Sequence, residues 1–262
     1  MPRNYSYSVL GVRVDAVQIP DVLEQMKVWI RERTRCHSVV LAGMYGITET
    51  ERDRSLKSIF NSADLVVPDG MPLIWIGRLR GWALSRRVYG PELMLQSCEN
   101  GIANGHRHFF FGGAPGVAER LAKNLGAKFS GLRVAGTLSP PYRPPTPEED
   151  AQIVATINSS ACDVVWVGLG SPKQDRWMHD HRGRLNAPVL VAVGAAFDMN
   201  AGIKSQAPVW LRERGFEWLY RLFQEPRRLW RRYILNGTKF IIYVALEFAR
   251  LRRFEEPLPR AR

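Results

Sequence analysis

The feature of this sequence that most limits its fold is an alternation of short apolar runs with amphipathic segments of helical period. Alternating strands and helices of these lengths are typical of a parallel sheet with helices on both faces. The sequence therefore predicts an α/β fold of the doubly wound class. The predicted strands are residues 9–14, 37–41, 64–67, 108–111, 132–137, 163–167 and 189–193, and the predicted helices are residues 21–31, 48–60, 71–79, 90–103, 117–125, 148–158 and 173–181.

This alternation ends near residues 200–208, and the chain beyond Pro208 shows only helical patterns that are rich in Arg, Trp and Tyr. A chain of 262 residues is long enough for one large domain with an appendage. We therefore predict an α/β core over residues 1–205 and a helical, basic appendage over residues 206–262.

The positive charge is concentrated in the predicted appendage. The chain carries 37 Lys and Arg against 25 Asp and Glu, a net charge of +12, and +8 of this excess lies from Lys204 onward. The charge favours an anionic partner: nucleic acid, anionic lipid or a diphosphate. Because no known nucleic-acid-reading motif accompanies the charge, we expect no nucleic-acid partner. Since no run reaches the ~18 apolar residues of a spanning helix, the appendage is expected to lie on a bilayer rather than cross it.

The cysteines and histidines argue against a disulfide framework and a metal site. Three cysteines, Cys36, Cys98 and Cys162, are odd in number and lack CxxC spacing. The five histidines form no metal-ligand pattern, and the polar N-terminus has no apolar signal segment. We therefore expect a cytoplasmic protein that uses no metal and no cofactor.

Asp69 ends an apolar run, in the segment Val66-Val67-Pro68-Asp69-Gly70. Open α/β sheets bind their ligands at the carboxyl ends of the strands, so this carboxylate is a candidate general base. The same residue type also caps helices, such as the one predicted to follow. Arg87 precedes another helix entrance and is either a phosphate clamp or an ordinary surface arginine.

Glycine-rich turns follow three of the predicted strands, at Gly112-Gly113, Gly168-Leu169-Gly170 and Gly194. Such turns let backbone N–H groups face a phosphate, or they only tighten the connection. None matches GxGxxG or a P-loop, so dinucleotide and ATP binding in those modes are not supported. Lys173, Gln174 and Asp198 lie beside these turns, and each is a candidate ligand contact or an ordinary turn or solvated residue.

Arginines recur in the appendage at close to heptad spacing, with aromatic and apolar residues between them. The stripe consists of Arg214, Arg221, Arg228 and Arg232. An arginine-rich amphipathic helix that carries tryptophan is typical of a membrane-surface segment. A helix packed on its own domain with solvated arginines shows the same pattern.

In combination, these segments resemble the bacterial WecG/TagA/CpsF glycosyltransferase family. The similar segments are residues 63–70, 87–90, 110–113, 167–175, 193–198 and the pattern AP…EWLYRL…EPRR of residues 207–228. They follow one another in order over about residues 8–235. One segment departs, because Leu41-Ala42-Gly43 stands where many members have Thr-x-Asn, which leaves the transferred sugar open.

The resemblance implies a Rossmann-like core that transfers a sugar from a UDP-sugar to an undecaprenyl-diphosphate-linked saccharide, with inversion and without a metal ion. It implies that Asp69 is the base and that the appendage contacts the inner face of the plasma membrane and helps complete the active site. The expected substrate contacts are Arg87, Gly112, Gly113, Gly170, Lys173, Gln174, Asp198, Arg214, Arg221 and Arg228.

Two other functions stay open from the residues. A non-catalytic membrane adaptor would use the basic appendage and carry a degenerate core, which the intact Pro-Asp-Gly and Pro-Lys-Gln segments argue against. Another nucleotide-sugar enzyme, such as an epimerase, is expected to carry a dinucleotide fingerprint, which is absent. The oligomeric state is open, and a homo-oligomer is compatible with the sequence.

Overall fold

The computed structural model describes residues 5–255. The strands are β1 (Ser6–Val9), β2 (Val12–Asp15), β3 (His37–Ala42), β4 (Leu65–Pro68), β5 (Arg107–Gly112), β6 (Arg133–Leu138), β7 (Val164–Gly168) and β8 (Val189–Ala192). The helices before residue 201 are α1 (Ile19–Glu32), α2 (Met44–Thr50), α3 (Arg54–Ser62), α4 (Met71–Leu79), α5 (Gly90–Gly101), α6 (Val117–Lys128), α7 (Pro147–Ser159), α8 (Lys173–His181) and α9 (Ala196–Asn200). Beyond them lie α10 (Val209–Glu213), α11 (Glu217–Gln224), α12 (Pro226–Trp230), a π-helical segment (Arg231–Leu235) and α13 (Asn236–Phe248).

Six strands form one sheet in the order β4-β3-β8-β7-β5-β6. The pairings β3–β8, β8–β7, β7–β5 and β5–β6 are all parallel. Every residue of β8 is buried, as are the first four of β7. Parallel strands that are covered on both faces have continuous apolar sequences, which is why the sequence pattern predicted them. The predicted α/β fold, with interleaved helices and helices after the sheet, is confirmed.

The first predicted strand is wrong, because residues 9–14 contain a turn. β1 and β2 form an antiparallel hairpin in which Val9 is paired with Val12. The two residues between them, Leu10 and Gly11, have φ values of 53° and 75°. Leucine rarely adopts this left-handed conformation, so the only sign of the turn in the run was Gly11.

The predicted helix over residues 48–60 is two helices, α2 and α3. The break lies at Asp53, whose side chain accepts a hydrogen bond from the Leu56 N–H at 3.0 Å and caps α3. Aspartate is among the preferred N-cap residues because its carboxylate satisfies an amide that the first helical turn leaves unpaired.

The chain divides into two compact units. The first comprises Met1–Gln18, Leu41–Val88 and Gln206–Arg262, and the second comprises Ile19–Val40 and Tyr89–Ser205. The boundary between Ser205 and Gln206 coincides with the predicted start of the appendage. That the appendage forms a domain of its own stays a prediction.

Within the first unit, the C-terminal helices are anchored on α4 and α2. Gly215 joins α10 to α11 with a φ of 82°, and a Cβ at this position would lie 3.2 Å from Met71 and from the Trp75 ring. Leu229 and Phe240 are buried at 2% exposure each. Between residues 5 and 255, no helix is long and apolar enough to cross a membrane.

Candidate functional site

Asp69 directly follows β4, where the strand gives way to the turn before α4. Its N–H donates to the Ala42 carbonyl oxygen at 2.9 Å, so the turn is held to the end of β3. The N-cap of α4 is Gly70, and Pro72 lies in the first turn of the helix. The helix-cap interpretation of Asp69 is therefore wrong, and the residue stands half-buried one position before the cap.

Arg87 lies against this turn. Its Nη1 donates to the Asp69 carbonyl oxygen at 3.2 Å, and its Nη2 forms an ion pair with Glu217. The neighbouring Val88 N–H donates to the Pro68 carbonyl oxygen at 2.8 Å. The side chain of Arg87 is only 15% exposed. It is thus not an ordinary surface arginine, and its role as a phosphate clamp stays a prediction.

Glu217 is a residue of this group that sequence reasoning missed. It is the first residue of α11 and is buried at 7% exposure. The helix dipole favours an acidic residue in the first turn of any helix. This local explanation gave no reason to expect a distant partner for Glu217. Its place in the EWLYRL segment was the one available signal.

Three arginines of the C-terminal helices, Arg221, Arg228 and Arg232, form a cationic cluster around Tyr233. Burial lowers the pKa of Arg232, and the charges of Arg221 and Arg228 lower it further while Tyr233 raises it. Burial raises the pKa of Tyr233, against the opposing effect of the three arginines. Arg221 and Arg232 are half-buried, whereas Arg228 is exposed and pairs with Glu225, so the two half-buried like charges are the ones that most favour an anionic ligand.

Arg232 is the member of the cationic cluster that contacts an aromatic ring of α2. Its guanidinium carbon lies 4.3 Å from the centroid of the Tyr45 ring. Within residues 5–255, its buried Nε finds no hydrogen-bond acceptor. The sequence analysis included Arg232 in the basic stripe but did not predict it as a substrate contact. Arg214 was predicted as a substrate contact, and it is exposed at the C-terminal end of α10.

In the second unit, Gln174 connects the turns that follow β7 and β8. It is buried at 4% exposure, and its Oε1 accepts a hydrogen bond from the Gly170 N–H at 3.1 Å. A Cβ added to Gly194 would lie 3.3 Å from the same Oε1. The interpretation of Gln174 as a solvated residue is therefore wrong, and its carboxamide organises the glycine turns.

The glycines of these turns differ in what surrounds them. Gly112 has a φ of 133°, and a Cβ there would lie 2.6 Å from the backbone of Gly168. Gly113 has a φ of 76°, and its Cβ would meet Val117 at 2.8 Å. Close packing alone thus accounts for both. Gly170 also has a positive φ, 78°, but a Cβ there would meet open space.

The charged residues beside the turns have local partners. Asp198 forms an ion pair with Lys204 at 2.8 Å. The Lys173 ammonium lies 4.6 Å from the centroid of the Tyr142 ring, and Tyr142 is 96% exposed. The substrate contacts predicted for Asp198 and Lys173 stay predictions.

The predicted site residues thus fall into two groups. Asp69, Arg87, Arg221 and Arg228 belong to the first unit, and the glycine turns with Gln174 belong to the second. That both groups serve one ligand stays a prediction. In the described part of the chain, no three His, Cys, Asp or Glu side chains are placed to hold a metal ion.

Comparison with known protein families places the chain among the glycosyltransferases. The family described as "Glycosyl transferase WecG/TagA/CpsF family" matches residues 7–254. The chain belongs to the WecG/TagA/CpsF family, and the resemblance seen in the sequence is confirmed.

Three curated relatives that the chain matches carry the same enzyme name, N-acetylglucosaminyldiphosphoundecaprenol N-acetyl-beta-D-mannosaminyltransferase. The protein of that name from Bacillus spizizenii is 29% identical over 196 residues, which cover 75% of this chain and 74% of the relative. Its counterpart from Bacillus subtilis is 26% identical over 198 residues, with the same coverage. The one from Staphylococcus aureus strain MW2 is 25% identical over 224 residues, 85% of this chain and 86% of the relative.

Proposed function

We propose that this glycosyltransferase moves a hexose from a UDP-sugar to an undecaprenyl-diphosphate-linked saccharide during synthesis of a bacterial surface polymer or exopolysaccharide. The observation that carries the proposal is the placement of Asp69 and Arg87 in one compact unit with the cationic cluster. The names of the relatives support the class of acceptor. An N-acetylmannosamine-type sugar is the first donor to test, and other hexoses stay open.

In the proposed inverting reaction, Asp69 accepts the proton of the acceptor hydroxyl as its oxygen attacks the anomeric carbon. The bond from that carbon to the diphosphate breaks, and UDP leaves with the bonding electrons. A positioned general base contributes ~10²–10⁴-fold to such a step. The cationic cluster would stabilise the diphosphate charge, the kind of electrostatic contribution that is often the largest in an enzyme. We propose this reaction to be independent of metal ions.

In the second unit, the proposed donor contacts are Gly170 and Gln174. Gly170 combines a positive φ with open space beside its Cα, so a ligand could approach its backbone closely. Gln174 fixes that turn through the bond between its Oε1 and the Gly170 N–H. The remaining proposed contacts are Gly112, Gly113, Lys173 and Asp198.

Release of UDP tests the proposed function. Wild type and Asp69→Ala would be compared with a panel of UDP-sugars and a short-chain polyprenyl-diphosphate sugar acceptor. Acceptor-dependent release that disappears in the variant would support the proposal and identify the donor. Release that EDTA abolishes and Mg²⁺ restores would contradict metal independence. A protein that binds no UDP in calorimetry would instead be the membrane adaptor.

We also propose that the first unit associates with an anionic membrane surface. Its exposed apolar side chains include Phe223, Ile241 and Leu251, which are 78%, 67% and 77% exposed. Phe223 lies on α11, Ile241 lies on α13, and Leu251 follows α13, in a part of the chain whose net charge from Lys204 onward is +8. Apolar residues that enter the headgroup region beside basic residues are the features of an interfacial helix.

Replacing Phe223, Ile241 and Leu251 by Ser is expected to lower partition onto anionic vesicles by about tenfold, because each loses apolar area that would be buried in lipid. Vesicle sedimentation measures this, and added salt should weaken wild-type binding. Tyr142→Ser is the matched control, since Tyr142 is 96% exposed but belongs to the second unit. Equal sedimentation of wild type and the triple variant would contradict membrane association through these residues.

A further inference from the structure

Glu217 connects the C-terminal helices to the turn that carries Asp69. Its carboxylate pairs with Arg87 Nη2, while Arg87 Nη1 donates to the Asp69 carbonyl oxygen at 3.2 Å. One guanidinium therefore contacts both the first residue of α11 and the turn after β4. The chain separation between Arg87 and Glu217 is 130 residues, so the contact is purely tertiary.

The burial of this ion pair makes its geometry specific. The side chains of Arg87 and Glu217 are 15% and 9% exposed. Removing one partner of a buried pair leaves the other charge uncompensated, which is strongly unfavourable. The planar fork of arginine also fixes the directions of its donors, so a carboxylate on Nη2 orients Nη1.

Arg87 is tied to the same turn by its backbone neighbour. The Val88 N–H donates to the Pro68 carbonyl oxygen at 2.8 Å, one residue before Asp69. Two hydrogen bonds, one from a side chain and one from the backbone, thus connect the Arg87 segment to residues 68 and 69. A shift of the guanidinium would be transmitted to the turn.

We propose that Glu217 is a positioning residue for sugar transfer: by holding Arg87, it fixes the turn of Asp69 while α11 is docked. The inference rests on the proposed role of Asp69 as the base. In this proposal the appendage contributes the Glu217 carboxylate to the site, in addition to its arginines. Positioning matters because a misplacement of about 1 Å can cost ~10²-fold in rate.

A neighbouring ion pair provides a matched control. Arg86 and Glu213 lie 3.1 Å apart in the same unit, but their side chains are 59% and 55% exposed. Exposed pairs of this kind contribute little because solvent screens them and the side chains lose entropy. The two variants Glu217→Gln and Glu213→Gln therefore make the same chemical change, one at a buried carboxylate and the other at an exposed one.

In steady-state UDP release, Glu217→Gln is expected to lower kcat by about tenfold with a donor KM within about twofold of wild type, because the amide keeps the shape and loses the charge. Glu213→Gln is expected to match wild type. Adding Glu217→Gln to Arg87→Gln should cause little further loss, since the two side chains act as one unit. A wild-type kcat, or a raised KM with unchanged kcat, would overturn the proposal.

Hydrogen exchange tests the positioning without catalysis. The Ile74 and Leu73 N–H groups bond to the Gly70 carbonyl oxygen, and the Val88 N–H bonds to Pro68. Their exchange should become faster in Glu217→Gln and stay unchanged in Glu213→Gln. Unchanged exchange in Glu217→Gln would contradict the proposal even if kcat fell. If wild type releases no UDP with any donor, the proposed function fails, and exchange still decides whether Glu217 fixes the turn.

Discussion

Asp69→Asn is expected to lower kcat for sugar transfer by ~10²–10⁴-fold, the contribution of a positioned general base. The amide cannot accept the proton of the acceptor hydroxyl, yet it has nearly the size of the carboxylate. The backbone contacts of residue 69, with Ala42 and with Arg87, do not involve the side chain. The fold and the affinity for UDP are therefore expected to remain, which far-UV dichroism and calorimetry would check.

Asp64→Asn is the matched control for this variant. Asp64 lies immediately before β4, and Asp69 lies immediately after it, so one strand carries both carboxylates at opposite ends. Only the carboxyl end of a parallel strand is expected to face the ligand. Asp64→Asn should stay within about threefold of wild-type kcat/KM, well under the loss of a catalytic group. Substantial transfer by Asp69→Asn would remove Asp69 from the mechanism.

The sequence predicted the sheet well because each buried strand is a local signal. The predictions for residues 163–167 and 189–193 lie within one residue of β7 and β8, where burial is continuous. The hairpin was missed because Leu10 adopts a left-handed conformation that its residue type does not signal. Local patterns thus gave the strands and one carboxylate, but not the turns that depend on tertiary context.

The surroundings of Asp69 could be predicted only in part. Arg87 was found from a helix entrance, but its partner Glu217 lies 130 residues away, and no local pattern pairs the two. Arg232 was counted in the basic stripe, but the family resemblance implied substrate contacts only for Arg214, Arg221 and Arg228. The π-helical segment Arg231–Leu235 includes Arg232, which stacks on the Tyr45 ring.

Arg232→Met is expected to lower kcat/KM for the UDP-sugar by ~10²–10³-fold, the effect of removing one preorganised charge donor from a transition state. The unbranched side chain of methionine keeps an apolar stem of similar shape and loses the guanidinium that stacks on the Tyr45 ring. Arg232→Lys should recover only part of the activity, because an ammonium lacks the planar fork that stacks and donates in two directions.

The stability of Arg232→Met should not fall together with its activity. Arg232 is half-buried near Arg221 and Arg228, and both burial and these charges oppose its protonated form. Removing this charge relieves its desolvation and its repulsion by Arg221 and Arg228, so the replacement is expected to be neutral or stabilising. The midpoint of thermal unfolding should therefore stay constant or rise while transfer is lost.

Arg231→Met is the matched control for Arg232→Met, because it tests whether loss of any positive charge from this helical segment lowers activity. Arg231 is the adjacent residue of the π-helical segment, is exposed, and lies with its guanidinium carbon 5.3 Å from the Trp230 ring centroid. Its replacement removes the same charge and should leave kcat/KM with a soluble acceptor within about threefold of wild type. If Arg232→Met were active but unfolded at a lower temperature, Arg232 would serve packing, and the cationic cluster would not bind the diphosphate through it.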